Sequence, residues 1–140
     1  MPPLDHARVY RLKQRHPQLT VVLNGGLTDA AAAQAQLAHV DGVMLGRAAY
    51  HDSWVLACLD AELRGVPPPL RADALRALRP YVESELARGT ALKHITRHLL
   101  GLYLGQPGAR RFRRVLTEGA VCADAGWGLI EQALAQVERI

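Results

Sequence analysis

Apolar positions along the chain follow two regimes, and the change comes at GVPPPL, residues 65–70. Three consecutive prolines cannot continue a helix and favour extended geometry. Before them the pattern alternates between helix and strand. Residues 4–14 form a helix, with Leu4, Ala7, Val9 and Leu12 as its buried side, and His16-Pro17 ends it. The β-branched run at 20–23 predicts a strand. Thr28 is placed to cap a helix over 29–37. A second short strand follows at 43–45, a helix begins at Arg47 or Ala48, and Asp52 or Ser53 caps another helix that runs to Leu63. After the prolines the pattern is purely helical. Helices are predicted over 72–88, 92–104, 109–117 and 128–139, with Gly89, the GQPG at 105–108 and Gly119 as punctuation.

The fold class is therefore α/β followed by all-α. Two strands separated by one helix suit a parallel pair. Parallel sheets need both faces covered, and two strands do not close a core. Residues 1–66 thus read as the last part of a larger α/β structure, and residues 67–140 as a separate helical bundle domain.

Composition narrows the classes. A chain of 140 residues with 49% hydrophobic and 5% aromatic residues is long enough for a core and leans towards helices rather than an all-β fold. The formal net charge is +4, and all the cations except Lys13 and Lys93 are arginine. Arginine is the better phosphate fork, so the balance is compatible with a nucleic-acid partner, though a GC-rich genome would produce it too. Cys58 and Cys122 have no CxxC spacing and read as small buried hydrophobes of a reducing compartment. No apolar run reaches the ~18 residues of a membrane span. The N-terminus lacks the pattern of a signal peptide, so the expected location is the cytoplasm.

Two motifs carry candidate phosphate chemistry. VVLNGGLTD, 21–29, ends a strand in Asn24-Gly25-Gly26 before a capped helix, which sets open backbone N–H groups beside a helix N-terminus. VDGVMLGRAAYH, 40–51, ends a second strand in Gly46-Arg47, where glycine allows close approach and arginine supplies a charged fork. One strand–helix–strand unit separates them. That matches the phosphate loops after strands 7 and 8 of a (β/α)₈ barrel. Either motif alone is equally a tight turn.

The helical half carries cations. In ALKHITRHLLGLY, 91–103, the residues Leu92, Ile95, Leu99, Leu102 and Tyr103 fall on one arc of a helix, and Lys93, His94, Arg97 and His98 on the other. The His94/His98 spacing could chelate a metal, but no third ligand accompanies it and HExxH is absent, so no metal site is assigned. In PGARRFRRVL, 107–116, Phe112, Val115 and Leu116 cluster as a buried side, opposite Arg110, Arg111, Arg113 and Arg114. Four like charges on one exposed surface favour contact with a nucleic-acid backbone over a merely solvated face.

HPQLTVVLNGGLTDAAAAQAQLAHVDGVMLGRAAYHDSWVLACLD, together with ALKHITRHLLGLYLGQPGARRFRRVLTEGA, resembles the C-terminal part of bacterial tRNA-dihydrouridine synthases, specifically the A subfamily. The resemblance runs from about residue 2 to 120. HVDGVMLGRAAYH and ITRHLLGLYLGQPGARRFRR are specific to that group, whereas NGG is shared with many barrels. It implies the last two βα units of a flavin-binding TIM barrel over 1–66 and a helical tRNA-binding domain over 67–140. It also implies reduction of a D-loop uridine to 5,6-dihydrouridine, with FMN passing hydride from NADPH to the base and a cysteine as the acid. By the same resemblance, Asn24, Gly25, Gly26, Gly46 and Arg47 would hold the FMN phosphate. An arginine pair, Arg110/Arg113 or Arg111/Arg114, would contact tRNA, with Lys93 and Arg97 as weaker contacts.

Cys58 and Cys122 do not match the family's catalytic cysteine, so no catalytic residue is assigned. The family's cysteine loop and its flavin-ring contacts correspond to sequence before residue 1, in an N-terminal barrel half. The expectation is a part of such an enzyme that is inactive alone. The alternative is a non-enzymatic tRNA- or RNA-binding module, and a weaker one is a phosphosugar-binding barrel piece. Residues 121–140 match the family least, and no role is carried over to them.

Overall fold

The computed structural model describes residues 3–138. The chain separates into two compact units, Met1–Pro68 and Pro69–Ile140.

The first unit runs α1 (His6–Arg15), β1 (Val22–Asn24), α2 (Ala30–Leu37), β2 (Gly42–Met44), α3 (Arg47–His51) and α4 (Trp54–Arg64). The strands are parallel, in the register Val22↔Gly42, Leu23↔Val43 and Asn24↔Met44. Leu23 is buried with Val21, Leu27 and Val40, and Val9, Tyr10, Val43 and Leu45 pack around them. The helix–strand contact is therefore made by Val9 and Tyr10. Of the expected buried side of α1, Leu4, Ala7 and Leu12 are exposed. Leu4 lies outside the helix altogether, because Asp5 caps it by accepting the Arg8 N–H at 2.9 Å.

A polar clamp fixes the start of the sheet. Lys13 Nζ lies 2.8 Å from the Asp41 carboxylate, which also accepts the Val21 N–H at 2.7 Å. Lys13 donates to the Pro17 and Leu19 carbonyls as well. These bonds, that from Lys13 first, hold the Asp41 carboxyl below its ordinary pKa.

Helix α2 is capped by Asp29, not by Thr28. The Asp29 carboxylate accepts the Ala32 N–H at 2.7 Å, and the Thr28 hydroxyl donates to that carboxylate at 3.1 Å. Aspartate one residue later wins because its longer reach and charge suit the helix end.

The second unit holds α5 (Arg71–Arg76), α6 (Arg79–Ala87), α7 (Lys93–Thr96), α8 (Ala109–Gly119) and α9 (Trp127–Leu134). The single helix expected over 72–88 is two, broken at Ala77-Leu78, since Pro80 sits in the first turn of α6 where its missing N–H costs nothing. The helix expected over 92–104 is regular only to Thr96. Turns with three-residue spacing then follow, from the His98 N–H to Ile95 O (3.1 Å), Leu99 to Thr96 (2.9 Å) and Leu102 to Leu99 (3.0 Å). Helix α9 ends earlier than the predicted 139, a residue outside those described.

Phe112, Leu116, Ile130, Leu134, Leu75 and Val82 are buried, with Tyr103 tilted against Phe112 at 4.8 Å between ring centroids. Each such side chain contributes about 1.5–3 kcal/mol by leaving water. Gly119 stands at a helix end as expected, but without a left-handed φ. It is the last residue of α8, and a methyl placed on it would lie 2.3 Å from Leu129 Cδ1 and 3.2 Å from Leu129 Cγ. At the edge of the same core, Arg76 reaches two acids of the C-terminal segment, Glu131 at 3.2 Å and Glu138 at 3.0 Å. The Trp127 indole N–H also donates to Glu131 at 3.2 Å. The bond from Arg76, chiefly, lowers the Glu131 pKa.

Candidate phosphate loops and nucleic-acid face

In the first unit the two strands end level, with Asn24 opposite Met44. The chain therefore leaves both strands at the same edge of the sheet, through Gly25-Gly26 in one case and Gly46-Arg47 in the other. Gly25 and Gly26 have φ of +119° and +73°, a region costly for other residues. Gly46 caps α3 with open space where a side chain would stand. Asn24 and Arg47 are exposed.

The two loops are not equivalent. The side of Gly25 and Gly26 that would carry a side chain faces Leu4, and a methyl on Gly26 would lie 2.7 Å from Leu4 Cδ1. His6 Nε2 stands 3.0 Å from the Gly25 carbonyl oxygen. The sequence reading missed both residues as neighbours of this loop, because nothing local links positions 4 and 6 to position 25. Nor is the N-terminus of α2 an open anion site, since the Asp29 carboxylate already occupies it. An anion at this edge meets positive charge from Arg47 and open backbone approach at Gly46.

In the second unit Arg110, Arg111, Arg113 and Arg114 are all exposed, opposite the buried Phe112 and Leu116. The ion pairs of this unit join Arg76 to Glu131 and Glu138, Arg79 to Glu83 and Arg88 to Glu85, and leave all four out among the described residues. Lys93 and Arg97 are likewise exposed, while Leu92, Ile95, Leu99, Leu102 and Tyr103 are buried. His98 Nε2 accepts a hydrogen bond from Arg97 Nε at 3.0 Å. Among the described residues no group of three His, Cys, Asp or Glu side chains could hold a metal ion, and no helix is long and apolar enough to cross a membrane. The expectation of two buried cysteines is not met: Cys58 is half-buried on α4, and Cys122 is exposed after α8.

The chain is similar to known proteins along nearly its whole length. A family model described as dihydrouridine synthase (Dus) matches residues 1–138. A tRNA-dihydrouridine(20/20a) synthase of Xanthomonas axonopodis pv. citri is 59% identical over 138 residues, which are 99% of this chain and 41% of that protein. The enzymes of the same description from Escherichia coli K12 and Vibrio cholerae are 49% and 43% identical, with 96% and 98% of this chain covered and 39% and 42% of theirs. The chain thus spans about two fifths of the length of the curated relatives it matches. With a family model across nearly its whole length, the chain belongs to the dihydrouridine synthase family.

Proposed function

We propose that these 140 residues are the C-terminal part of an FMN-dependent tRNA-dihydrouridine synthase, which reduces a D-loop uridine to 5,6-dihydrouridine with NADPH. Residues 1–66 would be the last two βα units of its TIM barrel, and residues 67–140 its helical tRNA-binding domain. The observation that carries the reading is the level ending of the parallel strands, which brings Gly25-Gly26 and Gly46-Arg47 to one sheet edge in a chain of this family.

The residues fit the phosphate end of FMN. Gly46 leaves open space for an oxygen to approach, and the exposed Arg47 guanidinium offers a two-pronged charge-assisted contact. Asn24 supplies a side-chain amide at the same edge, and Gly25-Gly26 make the turn that keeps the chain clear of it. FMN, when bound, supplies the hydride chemistry. This chain's part is to anchor that group's phosphate and to grip the nucleic acid. The arginines of α8, with Lys93 and Arg97, would neutralise tRNA phosphates, which fixes position without reading sequence. The proton donor and the contacts to the flavin ring would come from the N-terminal barrel half, and the expected site of action is the cytoplasm.

The test is dihydrouridine formation in unmodified tRNA. The 140-residue chain with FMN and NADPH is expected to bind tRNA and to form no dihydrouridine; robust turnover by the chain alone would sink the division of labour. The second reading is a non-enzymatic RNA-binding module, which the unpaired arginine face favours. Tight tRNA binding with no FMN binding, even beside the N-terminal half of a relative, would select it.

A further inference from the structure

Where the last turn of α8 passes α7, a groove of about 200 Å³ opens, lined by Lys93, Thr96, Arg97, Leu100, Leu116, Thr117, Ala120 and Val121. Its floor is apolar and its rim is cationic. Such a volume is below the roughly 300–1,000 Å³ of a drug-sized ligand pocket and suits one planar ring rather than a whole cofactor.

Thr96 draws attention to it. Thr96 is 3% exposed, the buried polar residue of the described core, and it lines this groove. Its backbone N–H bonds to Leu92 O at 2.9 Å. No described residue partners its hydroxyl. A hydroxyl on a groove-lining residue, without a partner among the described residues, has hydrogen-bonding capacity left for a guest. The neighbouring Thr117 differs, since its hydroxyl is spent on Arg113 O at 2.8 Å.

Charge places the guest. Arg113 precedes Thr117 by four residues and Arg110 by seven, so both stand on the α8 flank that borders the groove. Arg111 and Arg114 stand on the flank of Glu118, away from it. Lys93 and Arg97 thus line the groove with two positive charges, and Arg113 stands one turn before the groove-lining Thr117 on α8. The Arg97 guanidinium is held by its bond to His98, which presents a flat cation beside the apolar floor. A flat guanidinium and an apolar bed are what an unstacked base needs.

We propose that this groove receives one unstacked nucleotide of an RNA strand, its base on Leu100 and Val121 and within reach of the Thr96 hydroxyl, its phosphate between Lys93 and Arg97. The proposal rests on the reading of the helical unit as an RNA-binding domain. By helix spacing it favours Arg110/Arg113, on the flank of the groove-lining Thr117, over Arg111/Arg114.

The experiment uses the full chain, methyl-labelled, titrated with a four-nucleotide oligouridylate and, in parallel, with tRNA. The methyl resonances of Thr96, Leu100 and Val121 are expected to shift and saturate together. Val121→Glu, at a position 69% exposed, sets a like charge against the phosphate without disturbing the core. It is expected to weaken both ligands fivefold or more, about the loss of one stacked base. Thr96→Val should act in the same direction, with unchanged thermal melting as its check. The inference is overturned if tRNA binds and Arg113→Ala weakens it while the groove resonances stay still and Val121→Glu binds as tightly as the parent. If neither ligand binds at low salt, the RNA-binding reading and the groove fall together.

Discussion

Arg47 is the residue on which the phosphate reading turns. Asp29 fills the N-terminus of α2, so the anion loses the helix that the sequence pattern offered it, and one guanidinium must meet most of its charge. Arg47→Ala is therefore expected to weaken FMN binding in the enzyme assembled with its N-terminal half by about tenfold or more, the cost of a charge-assisted bond of ~1.5–3 kcal/mol. Asn24→Ala should cost less, and flavin fluorescence quenching measures both. Asp41 makes the complementary case for stability. Its folded pKa is depressed by Lys13, so its contribution is full above the ordinary aspartate value of about 3.9 and is lost as pH falls through the lower folded value. Asp41→Asn should lower the melting temperature of the first unit at neutral pH, and the gap from the parent should close as the pH drops below that value. Leu4 and His6 show what a residue-by-residue reading could not reach. The double glycine of NGG was legible as a turn, but the side chains against it come from 19 or more positions away.

At the scale of elements, Gly119 separates two explanations for a glycine. A helix-ending glycine tolerates alanine poorly through its backbone, whereas Gly119 is helical and is hemmed in by Leu129. Gly119→Val is expected to destabilise the second unit by about 1–3 kcal/mol through overpacking, seen as a lower denaturant midpoint. Gly119→Ala should cost less, as far as the Leu129 tip can move. The strands were readable because Val21-Val22-Leu23 and Val43-Met44-Leu45 are short apolar runs bounded by turn residues. The run over 92–104 shows why a correct face can come from a wrong element. Spacings of three and four residues are shared by an α-helix and by successive turns closed three residues apart, so Ile95, Leu99 and Leu102 are buried although the helix stops at Thr96. Pro80 was the available signal for the break between α5 and α6, since a proline fits the first turn of a helix and not its interior. Thr28 and Asp29 are adjacent cap candidates that spacing alone does not rank, and the reach and charge of Asp29 decide between them.

For the whole molecule, the sheet is the part that asks for more chain. Val22 and Met44 share one face of the two-stranded pair and are each 52% exposed. Leu56 and Leu63 of α4 are also exposed. Such surface drives association when nothing covers it. The chain alone is expected to self-associate in light scattering, and Val22→Thr with Met44→Gln should reduce it. The two-part organisation was visible at the prolines, and the family in its motifs. The small area that two strands can cover was visible as well, but not which side chains would be left outside.

The claim that joins these scales is that the helical unit grips RNA through its arginine face. Salt-titrated tRNA binding by the full chain tests it most directly. With about four phosphates neutralised, the logarithm of affinity should fall against the logarithm of salt with a slope of roughly −3, and Arg113→Ala should make that slope shallower by about one. Absence of binding at low salt, or a slope that Arg113→Ala leaves unchanged, would contradict the account.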